Sequence, residues 1–288
     1  MNIKAKNLQL SYGNESALQD INLEVNEPKI YGLLGRNGAG KTSLLSLLGS
    51  FREPTAGQLL VNGEEPFENA KIMQMITFLY SKDFSDESET VEVMIKGMSW
   101  YRPNFDLVYA KELVRKFKLD EKKPINKLSK GKQSAFNVVI GLASRSPITI
   151  FDEVYLGMDA PARDIFYKEL LKDQELHPRI IILSTHLVSE MDYLFDDVII
   201  IKDQKILLHQ SYDELVSQGA KIIGNKDAVH AFVKDKTILH EEELGDTKSI
   251  TIYGELNPSD KDIADQMGLN ITSASLHDLF IQLTKEEE

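Results

Sequence analysis

Gly35-Arg36-Asn37-Gly38-Ala39-Gly40-Lys41-Thr42 stands between the apolar run Ile30–Leu34 and the helical run Ser-Leu-Leu-Ser-Leu-Leu-Gly-Ser at 43–50. Strand, glycine-rich turn, Lys-Thr and helix together make the full pattern of a phosphate-binding loop. The glycines let backbone N–H groups turn inward around an anion, and the N-terminus of the following helix adds its dipole. Lys41 is the long cation that reaches the outer phosphates, and Thr42 offers a hydroxyl to magnesium. Gly35, Asn37, Gly38, Ala39, Gly40, Lys41, Thr42 and Ser43 are therefore the candidate nucleotide contacts.

Composition bounds what surrounds this loop. A chain of 288 residues has room for one large domain and a smaller one. With 42% hydrophobic and 27% charged residues it has the balance of a chain that buries a core. No run approaches the roughly 20 apolar residues of a membrane helix, and the opening MNIKAKNLQL lacks the apolar stretch of a signal peptide, so the chain is expected in the cytoplasm. Zero cysteines exclude disulfides, thiolate metal sites and cysteine nucleophiles. The six histidines fall at no zinc-ligand spacing, so any metal is expected on oxygen. A net charge of -12 argues against nucleic acid as a partner, because phosphate backbones need a basic surface.

Ile3, Ala5, Leu8 and Leu10 alternate with polar residues, and 21–25 does the same, which predicts two half-buried strands of a small antiparallel layer. Short, dense, β-branched runs at 30–34, 148–151, 180–184 and 198–201, separated by helical patterns, predict a parallel sheet buried on both faces. Between about 82 and 146 the pattern is helical, in pieces around Val91, Val93 and Met94, at 107–117 and at 135–143, so a helical subdomain is inserted there. After Gly219, strands at 221–223 and 249–253 alternate with helices at 226–233 and 262–267. The expected division is a nucleotide-binding domain at 1–219 and an α+β accessory domain at 220–288, with 285–288 a solvated tail.

Further motifs narrow the class. The run 148–151 ends in Asp152-Glu153, paired acids at the carboxyl end of a parallel strand, where ligands gather, and this resembles a Walker B motif. Leu128-Ser129-Lys130-Gly131-Lys132-Gln133 opens the helix through Ala143 and is similar to the ABC signature, in a variant of the usual LSGGQ. Leu156-Gly157-Met158-Asp159 resembles the D-loop, and His186, after Leu183-Ser184-Thr185, resembles the switch histidine. Tyr12 in Ser11-Tyr12-Gly13 stands where the family places an aromatic that stacks on adenine, and Pro54-Thr55-Ala56-Gly57 with Asn62-Gly63 matches another family turn. In order and spacing, residues 1–220 resemble the ATP-binding subunit of bacterial ABC transporters. Ser-Leu-His-Asp-Leu-Phe-Ile-Gln-Leu-Thr at 275–284 is similar to the closing helix of many drug and peptide export ATPases. The whole chain is similar to staphylococcal exporters of amphipathic peptides, the phenol-soluble modulins.

The resemblance implies an α/β P-loop fold of ABC type, with the antiparallel β layer, the inserted helical subdomain and the small C-terminal α+β domain. It implies ATP and magnesium, a second ATPase subunit in a homo- or heterodimer, and a transmembrane permease that holds the subunit peripherally on the inner face of the cell membrane. By the same resemblance two subunits close head to tail, so that Ser129 and Gly131 of one cover the γ-phosphate held by the other, and Asp159 of the D-loop is a further nucleotide contact. Thr42 and Asp152 hold magnesium, Glu153 orients and deprotonates water, and His186 stabilises the γ-phosphate. His177, His209, His230, His240 and His277 are expected to be satisfied or solvated.

The chain also departs from the family pattern. Aligned with the usual IGYLPQ, Ile-Thr-Phe-Leu-Tyr-Ser at 76–81 puts Ser81 where a glutamine meets magnesium and the attacking water. Lys132 replaces the last glutamine of the signature, there to meet phosphate or point to solvent. Asp83, Asp86, Glu87 and Glu89 form either a solvated face or a contact with the membrane partner, near which the family places this region. Asn225-Lys226-Asp227 begins like the guanine-reading motif of GTPases, but Ala228 breaks it. The alternative function is a non-transport ABC ATPase acting on ribosomes or DNA. Translation factors of that kind usually carry two cassettes, whereas this acidic chain carries one. A weak regulatory ATPase, suggested by Ser81, is disfavoured by Glu153 and His186.

Overall fold

Alternation in β1 (Ile3–Tyr12) buries Ile3, Ala5, Leu8 and Leu10, and in β2 (Glu15–Val25) it buries Leu18, Ile21, Leu23 and Val25. With β4 (Ala56–Val61) paired along the other side of β1, these strands form an antiparallel sheet in the order β2-β1-β4. The computed structural model describes residues 1–285, so the solvated tail expected at 285–288 lies, from 286 on, outside the described residues.

The apolar face of that sheet packs on a six-stranded one, ordered β5-β6-β7-β3-β8-β9. Its strands are β3 (Ile30–Leu34), β5 (Ile76–Tyr80), β6 (Ile148–Asp152), β7 (Ile180–Thr185), β8 (Asp197–Lys202) and β9 (Lys205–Ser211). Every pair is parallel except β8 with the edge strand β9. In β7, Ile180 and Ile182 face the three-stranded sheet while Ile181 and Leu183 face the helices. Burial on both faces explains why these strands read as unbroken apolar runs.

Helix α1 (Lys41–Leu48) follows β3 on the side of the three-stranded sheet, and the short α2 (Ala70–Met73) precedes β5. The opposite face is covered by α3 (Val91–Tyr101), α4 (Leu107–Lys116), α5 (Lys130–Ser144) and α6 (Ala160–Leu176), through residues such as Val91, Ile95, Leu113, Val138 and Phe166. Thr90, Asp106, Ser129 and Asp159 cap these helices, each accepting from a backbone N–H two or three residues inside its helix. At the pole remote from the glycine-rich loop, Arg145 pairs with Asp106 at 2.7 Å and Asp173 at 3.3 Å, and Asp173 pairs with the buried Arg179 at 2.8 Å. The paired charges tie α4, the end of α5, α6 and the start of β7 together, where one unpaired charge would be costly.

After α7 (Val188–Met191) and α8 (Tyr212–Ser217) the chain builds a third sheet, antiparallel in the order β11-β12-β10-β13. Its strands are β10 (Gly219–Asn225), β11 (Thr237–Leu244), β12 (Thr247–Tyr253) and β13 (Asn270–Ser273), and α9 (Lys226–Phe232) and α10 (Pro258–Gln266) complete it. Ile222, Val229, Ile250, Ile252 and Leu269 form a separate core there. The sequence reading lacks β11 and β13 because both are exposed edge strands, and Thr-Ile-Leu-His-Glu-Glu-Glu-Leu shows no alternation to find. Among the described residues, no helix is long and apolar enough to cross a membrane.

The last helix, α11 (Leu276–Leu283), turns back. Its buried residues Leu276, Leu279 and Phe280 join the helical face of the six-stranded sheet, beside Met191 and Leu215, and stand apart from the core of the third sheet. Lys202 at the end of β8 donates to the carbonyls of Leu283 at 3.3 Å and Lys285 at 2.8 Å, a cation set against the negative end of the helix. Leu279 is fully buried, so Leu279→Ala is expected to cost about 2–5 kcal/mol. Hydrogen exchange should locate the loss around α7, α8 and the Gly219 end of β10, on which Leu279 packs, more than around Ile222 and Ile250; the reverse distribution would place α11 in the wrong core.

Candidate nucleotide site

Most helices here begin with a side-chain cap, but α1 does not: its N-cap is Gly40, in the left-handed region at φ 110°, with no side-chain acceptor. A side chain at Gly40 would bring Cβ to 2.8 Å from the carbonyl oxygen of Ala17, so only glycine fits beside β2. The first N–H groups of α1 are thus left for an anion. Lys41 is buried and lies across the loop, its ammonium donating to the carbonyls of Gly35 at 2.6 Å and Arg36 at 3.3 Å. Burial holds its pKa below the ordinary lysine value, with Glu153 and Asp152 pulling the other way.

Thr42 donates to Asp152 Oδ2 at 2.9 Å, which ties the start of α1 to the end of β6. The other carboxylate oxygen of Asp152 is buried without a partner. A hydroxyl and a carboxylate with an orphaned oxygen form a hard-oxygen donor set that fits magnesium beside phosphates. Next in the chain, Glu153 sits in the left-handed region at φ 51°, a conformation costly for a residue with a side chain and frequent at functional sites. Its Oε1 is 2.8 Å from His186 Nδ1, so the ends of β6 and β7 bring the two catalytic candidates into contact.

The cleft beside the loop is lined by Tyr12, Arg36, Asn37, Gly38, Gly40, Lys41, Thr42, Ser43 and Glu153. Tyr12 is exposed, with its hydroxyl 3.3 Å from Ser43 Oγ. Gly35 and Ala39 stand behind the loop, Gly35 against the carbonyl of Ile201, where Cβ would approach to 2.9 Å. The sequence reading missed Glu15, Ser16, Ala17 and Gln204 on the cleft wall, and Arg52, whose guanidinium lies 4.5 Å from the centre of the Tyr12 ring. Gln204 arrives on the β8–β9 turn, held to β2 by Gln19 N–H donating to its carbonyl at 2.8 Å. No local pattern signals such a pairing, although the Asp203-Gln204 turn is of hairpin type, with both φ values positive.

Ser129, Gly131 and Asp159 do not line this cleft. Ser129 caps α5 and Asp159 caps α6, accepting from Ala162 N–H at 2.9 Å. Gly131 packs on the backbone of Gly157, where a Cβ would come to 2.6 Å from its carbonyl oxygen, and Ser134 donates to the carbonyl of Leu156 at 2.6 Å. Signature and D-loop therefore form one surface of the subunit, apart from its own phosphate loop.

Lys132 answers neither expectation made for it: it donates to the carbonyl of Phe117 at 2.5 Å, closing the C-terminus of α4. Ser81 is exposed just beyond β5. Asn225 caps α9 by accepting from Asp227 N–H at 3.0 Å, a structural use for the residues that begin like a guanine-reading motif. Of the other histidines, His230 lies 2.8 Å from Lys248, His240 lies 3.3 Å from Glu242, and none lines the cleft. His277 and His209 depart from the expectation of satisfied or solvated histidines: Nδ1 of the first is buried without a hydrogen-bond partner, and so is Nε2 of the second, 3.5 Å from Asp197.

Residues 18–155 match the family model described as ABC transporter. The solved structure "Structure of ATP binding subunit of ABC transporter" superposes with a TM-score of 0.66 over 75% of this chain and 92% of that one, at 20% identity, a likeness of fold. Among curated proteins, the bacitracin transport ATP-binding protein BcrA of Bacillus licheniformis is 27% identical over 98% of this chain and 96% of its own length. The uncharacterized ABC transporter ATP-binding protein MJ0412 of Methanocaldococcus jannaschii is 30% identical over 69% of this chain and 77% of its own. That identity and coverage, falling on a chain whose phosphate loop, paired acids and signature stand in the family's order, decide the matter: the chain belongs to the ATP-binding proteins of ABC transporters.

Proposed function

We propose that this chain is the ATP-hydrolysing subunit that powers a bacterial exporter of peptides or drugs, docked through a permease on the inner face of the cell membrane. The observation that carries hydrolysis is the contact of Glu153 with His186 at 2.8 Å, directly beyond the Thr42–Asp152 pair. Glu153 would orient and deprotonate the attacking water, and His186 would meet the γ-phosphate as charge spreads over its oxygens. Thr42 and Asp152 would hold magnesium, which neutralises phosphate charge when bound. Tyr12 would stack on adenine beside Ser43. The separation of Ser129, Gly131 and Asp159 from the cleft of their own subunit supports a site completed by a second ATPase subunit, identical or not.

Transport of a peptide or drug is supported by BcrA, whose similarity to this chain runs through the accessory region as well as the nucleotide-binding part. Within this reading, 1–219 works as the nucleotide-binding domain, with its helical subdomain at about 82–146. Residues 220–288 form the accessory domain, whose closing helix packs on the former. Asp83, Asp86, Glu87 and Glu89, together with Ser81, would face the permease. Co-purification from detergent-solubilised membranes tests the assignment: a membrane-spanning protein should accompany the chain, and recovery with ribosomes instead would favour the non-transport alternative.

Glu153→Gln keeps the shape of the side chain and removes the base. It is expected to bind ATP yet accumulate as an ATP-bound dimer, seen by size-exclusion with ATP and magnesium. A monomeric variant that hydrolyses ATP at the wild-type rate would refute the role of Glu153. At Ser81, a hydroxyl reaches less far than a glutamine amide, so partner docking would order the water or side chain that bridges the gap. Turnover should therefore rise several-fold on adding the permease. Equal rates with and without permease, unmoved by Ser81→Gln, would make Ser81 an ordinary loop residue.

A further inference from the structure

We propose that Tyr155 is a positioning residue for His186, and that it transmits the placement of the Leu156–Asp159 loop to the reacting centre; the proposal rests on the ATPase reading above. Tyr155 is among the largest fully buried side chains. From the turn after Glu153 its ring crosses to the end of β7, where its hydroxyl is hydrogen-bonded to Thr185 Oγ1 at 2.6 Å. Thr185 Oγ1 also accepts from Leu187 N–H at 2.9 Å. That second bond closes a local turn from a hydroxyl to the N–H two residues on, and His186 is the residue enclosed in it. The rotamer of Thr185 sets the turn, and the Tyr155 hydroxyl sets the rotamer. His186 is thus held twice, by its backbone through Tyr155 and Thr185 and by its ring through Glu153.

The backbone of Tyr155 belongs to the loop that meets the signature helix. Met158 N–H donates to the carbonyl of Tyr155 at 3.0 Å and Leu156 N–H to that of Glu153 at 3.1 Å. The tip of this loop rests on α5, with Ser134 donating to Leu156 and Gly131 packed on Gly157. A shift of the tip, such as a second subunit would impose, is carried through a buried ring and two hydroxyls to His186. The polar link is out of water, so losing one hydroxyl leaves the other short of a partner.

Steady-state and single-turnover ATP hydrolysis with magnesium, on wild type, Tyr155→Phe, His186→Ala and the double variant, tests this. Tyr155→Phe keeps the packing and should lower kcat roughly tenfold with KM for ATP unchanged, and it should lower nothing further once His186 is alanine. Its melting temperature should fall by no more than about 10 °C, the cost of one buried hydroxyl left short of a partner, so that the protein stays folded in the assay. Thr185→Val should reproduce the loss of kcat. Wild-type kcat in Tyr155→Phe, a loss shared with KM, a loss explained by unfolding at the assay temperature, or an equal loss in the His186→Ala background would overturn the proposal while leaving the ATPase reading intact. A wild type that turns over no ATP would overturn both.

Discussion

Everything at the nucleotide site depends on how the first turn of α1 is held open. Its N–H groups are useful to a phosphate only if nothing else in the protein satisfies them. Gly40 secures that by replacing a capping side chain with a left-handed turn tight against Ala17. Such an end is uncomfortable by itself, so it is braced by the Thr42–Asp152 bond and by Lys41 on the loop carbonyls. Because Asp152 ends β6, the brace aligns α1 with the strand that also delivers Glu153. The three-stranded sheet matters for the same reason: β2 forms the wall against which Gly40 packs.

The parallel sheet converts sequence distance into proximity. Strands β3, β6 and β7 are neighbours, and their carboxyl ends carry Gly35, Asp152 and His186 in turn, so residues more than a hundred apart meet within hydrogen-bond reach. The signature, on the N-terminus of α5, is placed otherwise. It is fastened to the Leu156–Asp159 loop and lies apart from the cleft beside the phosphate loop. Tyr155 joins the Leu156–Asp159 loop to the end of β7 through the interior. The accessory sheet has its own core, but α11 and Lys202 bind the end of the chain back to the nucleotide-binding part.

Much of this was legible in the residues alone. The phosphate loop is legible because its chemistry is local: backbone N–H groups, one cation and one hydroxyl within eight positions. The parallel strands are legible because burial on both faces leaves dense apolar runs, and β1 and β2 because burial on one face leaves alternation. Asp152-Glu153 and His186 announce themselves as polar residues at the ends of such runs. Exposed edge strands such as β11 and β13 leave no comparable pattern, since solvent accepts any polar sequence.

What tertiary structure alone decided are the partners. Lys132 could be read as a phosphate ligand or a solvated side chain until α4 put the carbonyl of Phe117 in front of it. Gln204 reaches the cleft from a turn whose own residues say nothing of a nucleotide. Tyr155 looks like one more core aromatic until β7 sets Thr185 opposite its hydroxyl. The closing helix reads as part of the accessory region by position, yet its apolar side finds Met191 and Leu215. The physical reason is common to all four. Periodicity and local motifs record whether a side chain is buried and which short-range backbone bonds it makes, whereas a long-range contact is a property of two segments, and neither segment alone encodes the other.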